Sequence, residues 1–258
     1  MAKKRLIPKL LMQKGGYQNS QNVVVRTKSF SNPTQIGEVV SQSKIFQDQI
    51  ADELTILKID ENIHFEELKD ISNAIADEIF MPLTMGGGID SIDKIRQLLS
   101  SGADKIALNT HAFENPTLIQ EASHNFGSST IVVSIDYKVS LSGEAKVYIQ
   151  NGKKNTGVNL LDWATKAEAL GAGELLVCCI DKDGSRTGLD IAYGVILQQL
   201  VNIPVVISGG CGLSQHFTEG FLKTNVSGIS AGTFFALQDQ NFIQTRSQIL
   251  NSGIDIRH

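Results

Sequence analysis

A carboxylate that closes an apolar run is the residue whose position points most directly to chemistry. Residues 131–136 form a mostly apolar run of strand length that ends at Asp136. An internal repeat described below sets Leu11 at the matching position of the first strand. This pattern is typical of an enzyme with two similar halves that contribute one acid each, with the first of the two acids replaced by leucine.

Glycine-rich turns are the second set of residues that could do chemistry. Gly87 and Gly88 follow an apolar run and precede a helical stretch, while Asn109 and Thr110 follow the next strand. Glycines let backbone N–H groups approach an anion, and a helix N-terminus adds a favourable dipole. The second half of the chain offers the same device at Gly184, Ser208, Gly209, Gly210, Gly232 and Thr233.

Two such anion sites on opposite sides of one rim predict a phosphorylated small-molecule ligand with a phosphate at each end. The alternative is that these glycines only serve tight turns between strands and helices.

The elements that position these residues alternate along the chain. Apolar runs of strand length at 54–57, 105–108, 175–178 and 205–208 are separated by amphipathic stretches, among them 91–99, 161–170 and 191–200. About eight such units predict a parallel sheet with helical crossovers, closed into a single (β/α)8 TIM barrel over residues 1–258. An open doubly wound sheet is the alternative.

An internal repeat favours the barrel. The segment 51–54 recurs at 172–175, a shift of 121 residues, while Gly87-Gly88 recurs as Gly209-Gly210 and Thr110 as Thr233, at shifts of 122 and 123. Repeated supersecondary units give this pattern. We therefore predict two half-barrels at roughly 1–125 and 126–250, whose register sets residues 7–11 against residues 132–136.

Composition argues against several classes of function. The 258 residues carry a net charge of −4 and a pI near 5.7, so we expect no nucleic-acid partner. We also expect no membrane span and no secretory leader, because no apolar run is long enough. Three cysteines without disulfide or zinc spacing indicate the cytoplasm, and five scattered histidines predict no metal; we expect no cofactor either.

Motifs over nearly the whole chain resemble one family, HisF, the cyclase subunit of imidazole glycerol phosphate synthase. The motif of residues 152–157, Gly-Lys-Lys-Asn-Thr-Gly, separates this family from the isomerase that precedes it in the pathway and shares the half-barrel repeat. The other matching segments are 4–8, 51–54, 86–89, 102–105, 109–110, 115–116, 135–136, 162–163, 171–174, 180–184 and 208–210.

The resemblance implies an activity and a partner. The barrel would pair with a HisH-like glutaminase that docks near Asp104, take up its ammonia at the N-terminal face and pass it along the barrel axis. At the opposite rim ammonia would attack a bis-phosphorylated ribonucleotide. The products would be imidazole glycerol phosphate and the aminoimidazole carboxamide ribonucleotide of histidine biosynthesis.

The resemblance also implies an ammonia gate, a ring of alternating charges at the bottom of the barrel. Its members fall on Arg5, Glu53, Lys105 and Glu174. Four charges that point towards the barrel axis must pair with one another, because an unpaired charge there is expensive to desolvate. A purely structural ring of ion pairs is the alternative, because the lower face of such barrels generally serves stability.

The family's catalytic pair is one Asp at the end of the first strand and one at the end of the fifth, acting as general acid and general base. Asp136 matches the second, whereas Leu11 stands at the first and cannot exchange a proton. The departure continues through residues 13–20, where Asn19 displaces a lysine, and Lys58 replaces an acid. Asp60 lies two residues further on, beyond the expected strand end.

Three hypotheses remain open at this stage. One is a HisF paralogue that conducts ammonia to other chemistry, such as amidine formation on a surface-polysaccharide (lipopolysaccharide) sugar. Another is an ordinary cyclase in which a different group replaces the missing acid. The third is a catalytically silent scaffold that activates its glutaminase.

Overall fold

The computed structural model describes residues 3–16, 22–237 and 242–257. Within these residues twelve strands form one sheet, eight of which run parallel and close into a barrel. The strands are β1 (Arg5–Lys14), β2 (Asn22–Lys28), β3 (Ser31–Glu38), β4 (Leu54–Lys58), β5 (Leu83–Gly86), β6 (Lys105–Leu108), β7 (Ile131–Val139), β8 (Ala145–Ile149), β9 (Lys154–Asn159), β10 (Glu174–Cys179), β11 (Val205–Ser208) and β12 (Gly228–Ala231).

Helices lie between the barrel strands. They are α1 (Val39–Asp48), α2 (Phe65–Ala76), α3 (Ile92–Ser100), α4 (Thr110–Glu114), α5 (Thr117–Phe126), α6 (Leu160–Ala169), α7 (Ile191–Leu200), α8 (Ser214–Thr224), α9 (Thr233–Leu237) and α10 (Phe242–Asn251), with single 3₁₀ turns at Ser128–Thr130 and Ile180–Lys182. Among the described residues, no helix is long and apolar enough to cross a membrane.

The barrel closes through β1, β4, β5, β6, β7, β10, β11 and β12, and β12 pairs with β1. This confirms the predicted (β/α)8 fold and excludes the open doubly wound sheet, whose edge strands would have no such partner. Local sequence sets the helix starts. Ser91, Asn159 and Asp190 each accept a backbone N–H bond at the first turn of α3, α6 and α7.

Two antiparallel hairpins extend the sheet, and the sequence patterns did not predict them. β2 and β3 follow β1, and β8 and β9 follow β7. The same addition therefore follows the first and the fifth barrel strand. This recurrence supports the division into half-barrels at roughly 1–125 and 126–250, which stays a prediction.

The strand register relates Leu11 to Asp136. Leu11 is the Cα partner of Leu57 on β4, and Asp136 is the Cα partner of Cys178 on β10. Leu57 and Cys178 are 121 residues apart, which is the spacing of the sequence repeat. Leu11 and Asp136 are therefore equivalent positions of the first and fifth barrel strands.

Side chains alternate across the barrel wall, so one set points to the axis. Along β1 these are Arg5, Ile7, Lys9 and Leu11, in order from the amino-terminal to the carboxyl-terminal end. Ile7 belongs to a buried apolar layer that fills the axis and is separate from the larger core between strands and helices. Its members are Ile7, Leu57, Ala107, Val132, Leu176 and Val206.

Candidate functional site

A closed ring of ion pairs lies at the amino-terminal end of the barrel axis. Arg5 is 2.8 Å from Glu53 and 3.0 Å from Glu174, and Lys105 is 3.2 Å from Glu53 and 2.8 Å from Glu174. Each charge therefore has two partners of opposite sign within the ring, and Glu53 also lies 3.7 Å from Arg257.

Ion pairing offsets the cost of burying Arg5 and Glu53. Burial alone would lower the pKa of Arg5, but Glu174 and Glu53 raise it above its ordinary value. Burial would likewise raise the pKa of Glu53, but Arg5 and Lys105 hold it below its ordinary value. Arg5 and Glu53 are therefore charged at neutral pH, because their partners in the ring compensate for the loss of water.

The surface around the ring carries both charge and exposed apolar side chains. Asp104 is exposed before β6, and its carboxylate accepts the backbone N–H of Leu83 at 2.8 Å. Two large apolar side chains are exposed at the same end, Phe80 before β5 at 92% and Ile50 before β4 at 57%. A polar rim around exposed apolar groups is typical of a protein-binding surface.

A cavity of about 1030 Å³ opens at the carboxyl-terminal end of the axis, and both Leu11 and Asp136 line it. Asp136 accepts a hydrogen bond from Asn109 at 2.8 Å. Burial raises the pKa of Asp136 to about 6 against the opposing effects of Lys9 and Asn109. Such a carboxyl group can exchange a proton near neutral pH.

The structure offers no carboxylate at the end of β1. Leu11 faces the cavity there, at the position where the resemblance implies an acid. Asp60 lies beyond β4, as expected, and accepts backbone N–H bonds from Lys14 and Asn62. These bonds hold its pKa below the ordinary value against the effect of burial, so Asp60 is a poor proton donor.

Lys58 ends β4 at the cavity wall, where its ammonium donates to the carbonyl of Ile63 at 3.1 Å. Burial and the neighbouring Lys94 lower its pKa. Of the altered segment 13–20, residues 17–20, including Asn19, lie outside the described residues.

All ten residues predicted to bind phosphate line one of two cavities. Four of them face the large cavity, and six face a small one beside it. The first group is Gly87, Gly88, Asn109 and Thr110, and the second is Gly184, Ser208, Gly209, Gly210, Gly232 and Thr233.

Backbone conformation alone already requires some of these glycines. Gly87 has φ +108° and Gly210 has φ +107°, and a Cβ at either position would lie within 2.2 Å of a carbonyl oxygen, that of Lys58 or Gly188. The glycines therefore fit both a tight turn and an anion site.

Lys9 is the functional candidate that the motifs missed. It is 5% exposed and lines both cavities, and its ammonium lies 3.4 Å from the sulfur of Cys178. A lone lysine in an apolar strand gives no motif. The available signal was its position in the strand. Lys9 lies an even number of residues from Arg5 and Leu11, and alternate residues of a strand share a face.

The hairpins bring further residues to the site. Ser29 and Phe30 at the β2–β3 turn line the large cavity, together with Asn151 and Gly152 at the β8–β9 turn. A Cβ on Gly152 would lie 3.0 Å from the Phe30 ring, so the two turns pack closely. This contact joins segments about 120 residues apart, and local sequence patterns do not reveal such contacts.

The described residues contain no group of three or more His, Cys, Asp or Glu side chains placed to hold a metal ion. Cys178, Cys179 and Cys211 are buried and unpaired.

Together these features define a (β/α)8-barrel protein with a large cavity at the carboxyl ends of its strands and a charged ring at the opposite end. A family model described as "Histidine biosynthesis protein" matches residues 6–240. The chain belongs to this family, and within it to the HisF group.

Full-length relatives support the assignment to HisF. A protein of Prochlorococcus marinus (strain MIT 9313), provisionally named imidazole glycerol phosphate synthase subunit hisF2, is 42% identical over 100% of this chain and 99% of its own length. The subunits named HisF of Lactococcus lactis subsp. cremoris (strain SK11) and Streptococcus mutans are 40% and 36% identical over all of this chain, and over 97% and 100% of their own lengths.

Proposed function

We propose that this chain is the ammonia-using subunit of a HisF-type glutamine amidotransferase whose capacity for cyclisation is reduced. It takes ammonia from a HisH-like glutaminase at the amino-terminal end and delivers it to a phosphorylated ligand in the large cavity. The observation that carries the proposal is that the charged ring is complete while Leu11 faces the cavity opposite Asp136.

The ring and the apolar layer support the ammonia route. The ring lies where ammonia from a docked partner would enter, and its four ion pairs would have to separate briefly to admit it. Beyond the ring, the layer of Ile7, Val132 and Leu176 is apolar. Such a layer favours a small neutral molecule over an ion, because an ion would lose its hydration there.

The surface around the ring supports a partner at this end. Phe80 and Ile50 supply exposed apolar area, and Asp104 supplies a charge at the rim. An interface with an apolar centre and a polar rim fits this arrangement. A cytoplasmic location for the complex stays a prediction.

The missing acid supports reduced cyclisation. Ring closure needs one group that donates a proton and one that accepts it, and each typically contributes about 10²–10⁴-fold in rate. Asp136 can serve as one of them, with a pKa of about 6. Leu11 cannot serve as the other, so the ribonucleotide should turn over far more slowly than in a two-acid cyclase.

Steady-state kinetics test the proposal. The purified protein is supplied with ammonium salts at alkaline pH and the bis-phosphorylated ribonucleotide, and a two-acid HisF is assayed in parallel. We expect a rate at least 100-fold lower for this chain. A rate equal to that of the two-acid enzyme would refute reduced cyclisation and leave the ammonia route to be judged by glutamine-dependent assays.

A second candidate function is ammonia supply to a different acceptor, such as a surface-polysaccharide sugar that becomes an amidine. The retained ring together with the lost acid favours it, because the changes concern the reacting end alone. Neighbouring genes test this candidate: sugar-modifying enzymes would support it, whereas a histidine operon would support the cyclase.

A further inference from the structure

Lys9 lies inside the barrel at the boundary between the two cavities. It is 5% exposed, and its neighbours in the small cavity include Asp183, Gly184 and Ser208. In the large cavity it shares the wall with Asp136. Its positive charge interacts with an acid of each cavity, Asp136 in the large one and Asp183 in the small one.

The described residues provide few hydrogen-bond acceptors for the ammonium group of Lys9. A lysine ammonium carries three N–H donors, and among the described residues its one hydrogen bond goes to Cys178 at 3.4 Å. Burial raises the pKa of Cys178 to about 12, so the thiol is neutral and a weak acceptor. Two of the three donors thus have no described protein acceptor.

The nearby carboxylates act on this charge only from a distance. Among the described residues no ion pair within 4.0 Å joins Lys9 to an acid, and Asp136 and Asp183 each accept a hydrogen bond from another group. Asp136 accepts from Asn109 at 2.8 Å, and Asp183 accepts from Thr27 at 2.6 Å. Leu11, the next residue of β1 on the same face, offers no acceptor at all.

Lys9 nevertheless stays charged. Burial alone would lower its pKa, but the hydrogen bond to Cys178 and the charges of Asp183 and Asp136 raise it above the ordinary value. A charged amine that is buried without a close counterion is expensive to desolvate. We expect such a buried charge where a bound ligand of opposite charge compensates it.

Ser208 provides an independent observation in the small cavity. It is 4% exposed, and its hydroxyl has no hydrogen-bond partner in the described structure. The hydroxyl lines the same cavity as Lys9, next to the backbone of Gly209 and Gly210. A buried hydroxyl without a partner, beside an ammonium with free donors, indicates a site for an oxyanion.

We propose that Lys9 is a specificity-determining residue that binds a phosphoryl oxyanion in the small cavity together with Ser208. The ligand class is a phosphate ester whose dianionic group enters between β1 and β11. This inference rests on the proposed phosphorylated ligand and adds a charged side chain to a site otherwise built from glycine backbone and hydroxyl groups.

Phosphate binding by the full-length chain and its Lys9→Met variant tests this role. Methionine keeps a similar length without the charge, and Lys154→Met, at an exposed lysine outside both cavities, is the matched control. Inorganic phosphate is titrated calorimetrically, and phosphate-soaked crystals of each protein show which cavity is filled.

We expect wild type and Lys154→Met to bind phosphate in both cavities. Lys9→Met should bind at least tenfold more weakly in the small cavity and unchanged beside Gly88 and Thr110, which also shows that the variant is folded. Added phosphate should raise the Tm of wild type more than that of Lys9→Met.

Three outcomes would overturn the role of Lys9. One is equal phosphate affinity in the small cavity of wild type and Lys9→Met. Another is a wild-type crystal with phosphate beside Thr110 and none beside Ser208. The third is the absence of phosphate from both cavities. This result would also refute the proposed ligand with two phosphates, so it distinguishes failure of the proposed function from failure of the role of Lys9 alone.

Discussion

The two ends of the barrel axis treat buried charge in opposite ways. At the amino-terminal end each of four charges has two partners of opposite sign within 3.2 Å. At the carboxyl-terminal end Lys9 is buried and Asp136 is partly buried, but they form no close ion pair with each other. The first arrangement is self-sufficient, whereas the second leaves binding capacity for a ligand.

This difference shows how one scaffold separates stability from chemistry. A fully paired ring resists change, because removing any member leaves another charge uncompensated. An incomplete set at the other end can change its chemistry by single substitutions, as Leu11 illustrates. Substitutions in the ring should therefore mainly lower stability, whereas substitutions at the carboxyl-terminal end should mainly change activity.

Restoring the acid at the end of β1 should have the largest effect. Leu11→Asp would return a second carboxyl group opposite Asp136, and we expect ammonia-dependent turnover of the ribonucleotide to rise about 10²–10⁴-fold. Steady-state kinetics measure this rise. Leu11→Asn is the control of equal shape, and an equal rise in this variant would show that proton exchange is not responsible.

Breaking the ring should mainly lower the stability of the protein and its activity with glutamine as the source of ammonia. Arg5→Met leaves Glu53 and Glu174 with one fewer partner each, and we expect a loss of about 3–5 kcal/mol in the free energy of unfolding. Glutamine-dependent activity should fall relative to ammonia-dependent activity. Urea unfolding and paired assays measure both, and unchanged values for both would contradict the ring's assignment.

Asp136 should give the ligand-free protein a pH-dependent stability. Its pKa of about 6 exceeds its ordinary value of 3.8, so the folded state binds the proton more tightly and stability falls as pH rises from about 4 to 6. Asp136→Asn does not titrate. Its free energy of unfolding should therefore increase relative to wild type by about 3 kcal/mol over this interval.

Urea unfolding of both proteins at pH 4, 5, 6 and 7 checks this prediction about Asp136. A difference between variant and wild type that stays constant with pH would show that Asp136 is not held in its protonated form by burial.

An exposed ion pair should show the smallest effect. Arg96 lies 3.9 Å from Asp93 on α3, and its side chain is 57% exposed. Arg96→Met makes the same replacement as Arg5→Met, but we expect a loss below about 1 kcal/mol because solvent screens the pair. A loss as large as that of Arg5→Met in urea unfolding would mean that the two measurements report a general effect of removing arginine.

Sequence patterns predicted the barrel and much of its site. Apolar runs of strand length and the 121-residue repeat were enough for the closed fold and for setting Leu11 against Asp136, because both depend on local periodicity and on symmetry. The ring was expected from the resemblance to HisF, and the repeat adds only that Glu53 and Glu174 are equivalent positions, 121 residues apart.

Contacts between distant segments were not predictable in this way. Lys9 gains its meaning from Cys178 and Ser208, which lie about 170 and 200 residues further along the chain. The hairpin turns that meet through Phe30 and Gly152 present the same difficulty. In such barrels, counting alternate residues along a strand shows which polar side chains face the axis.

The apolar layer between the two ends has an electrical consequence. Ile7, Leu57, Ala107, Val132, Leu176 and Val206 fill the axis with side chains that solvate no ion. We expect protons and metal ions to cross this layer far less readily than a small neutral molecule, because a charged species would lose its hydration there. The protonation of Asp136 can therefore follow the bound ligand while the ring keeps its own charge state.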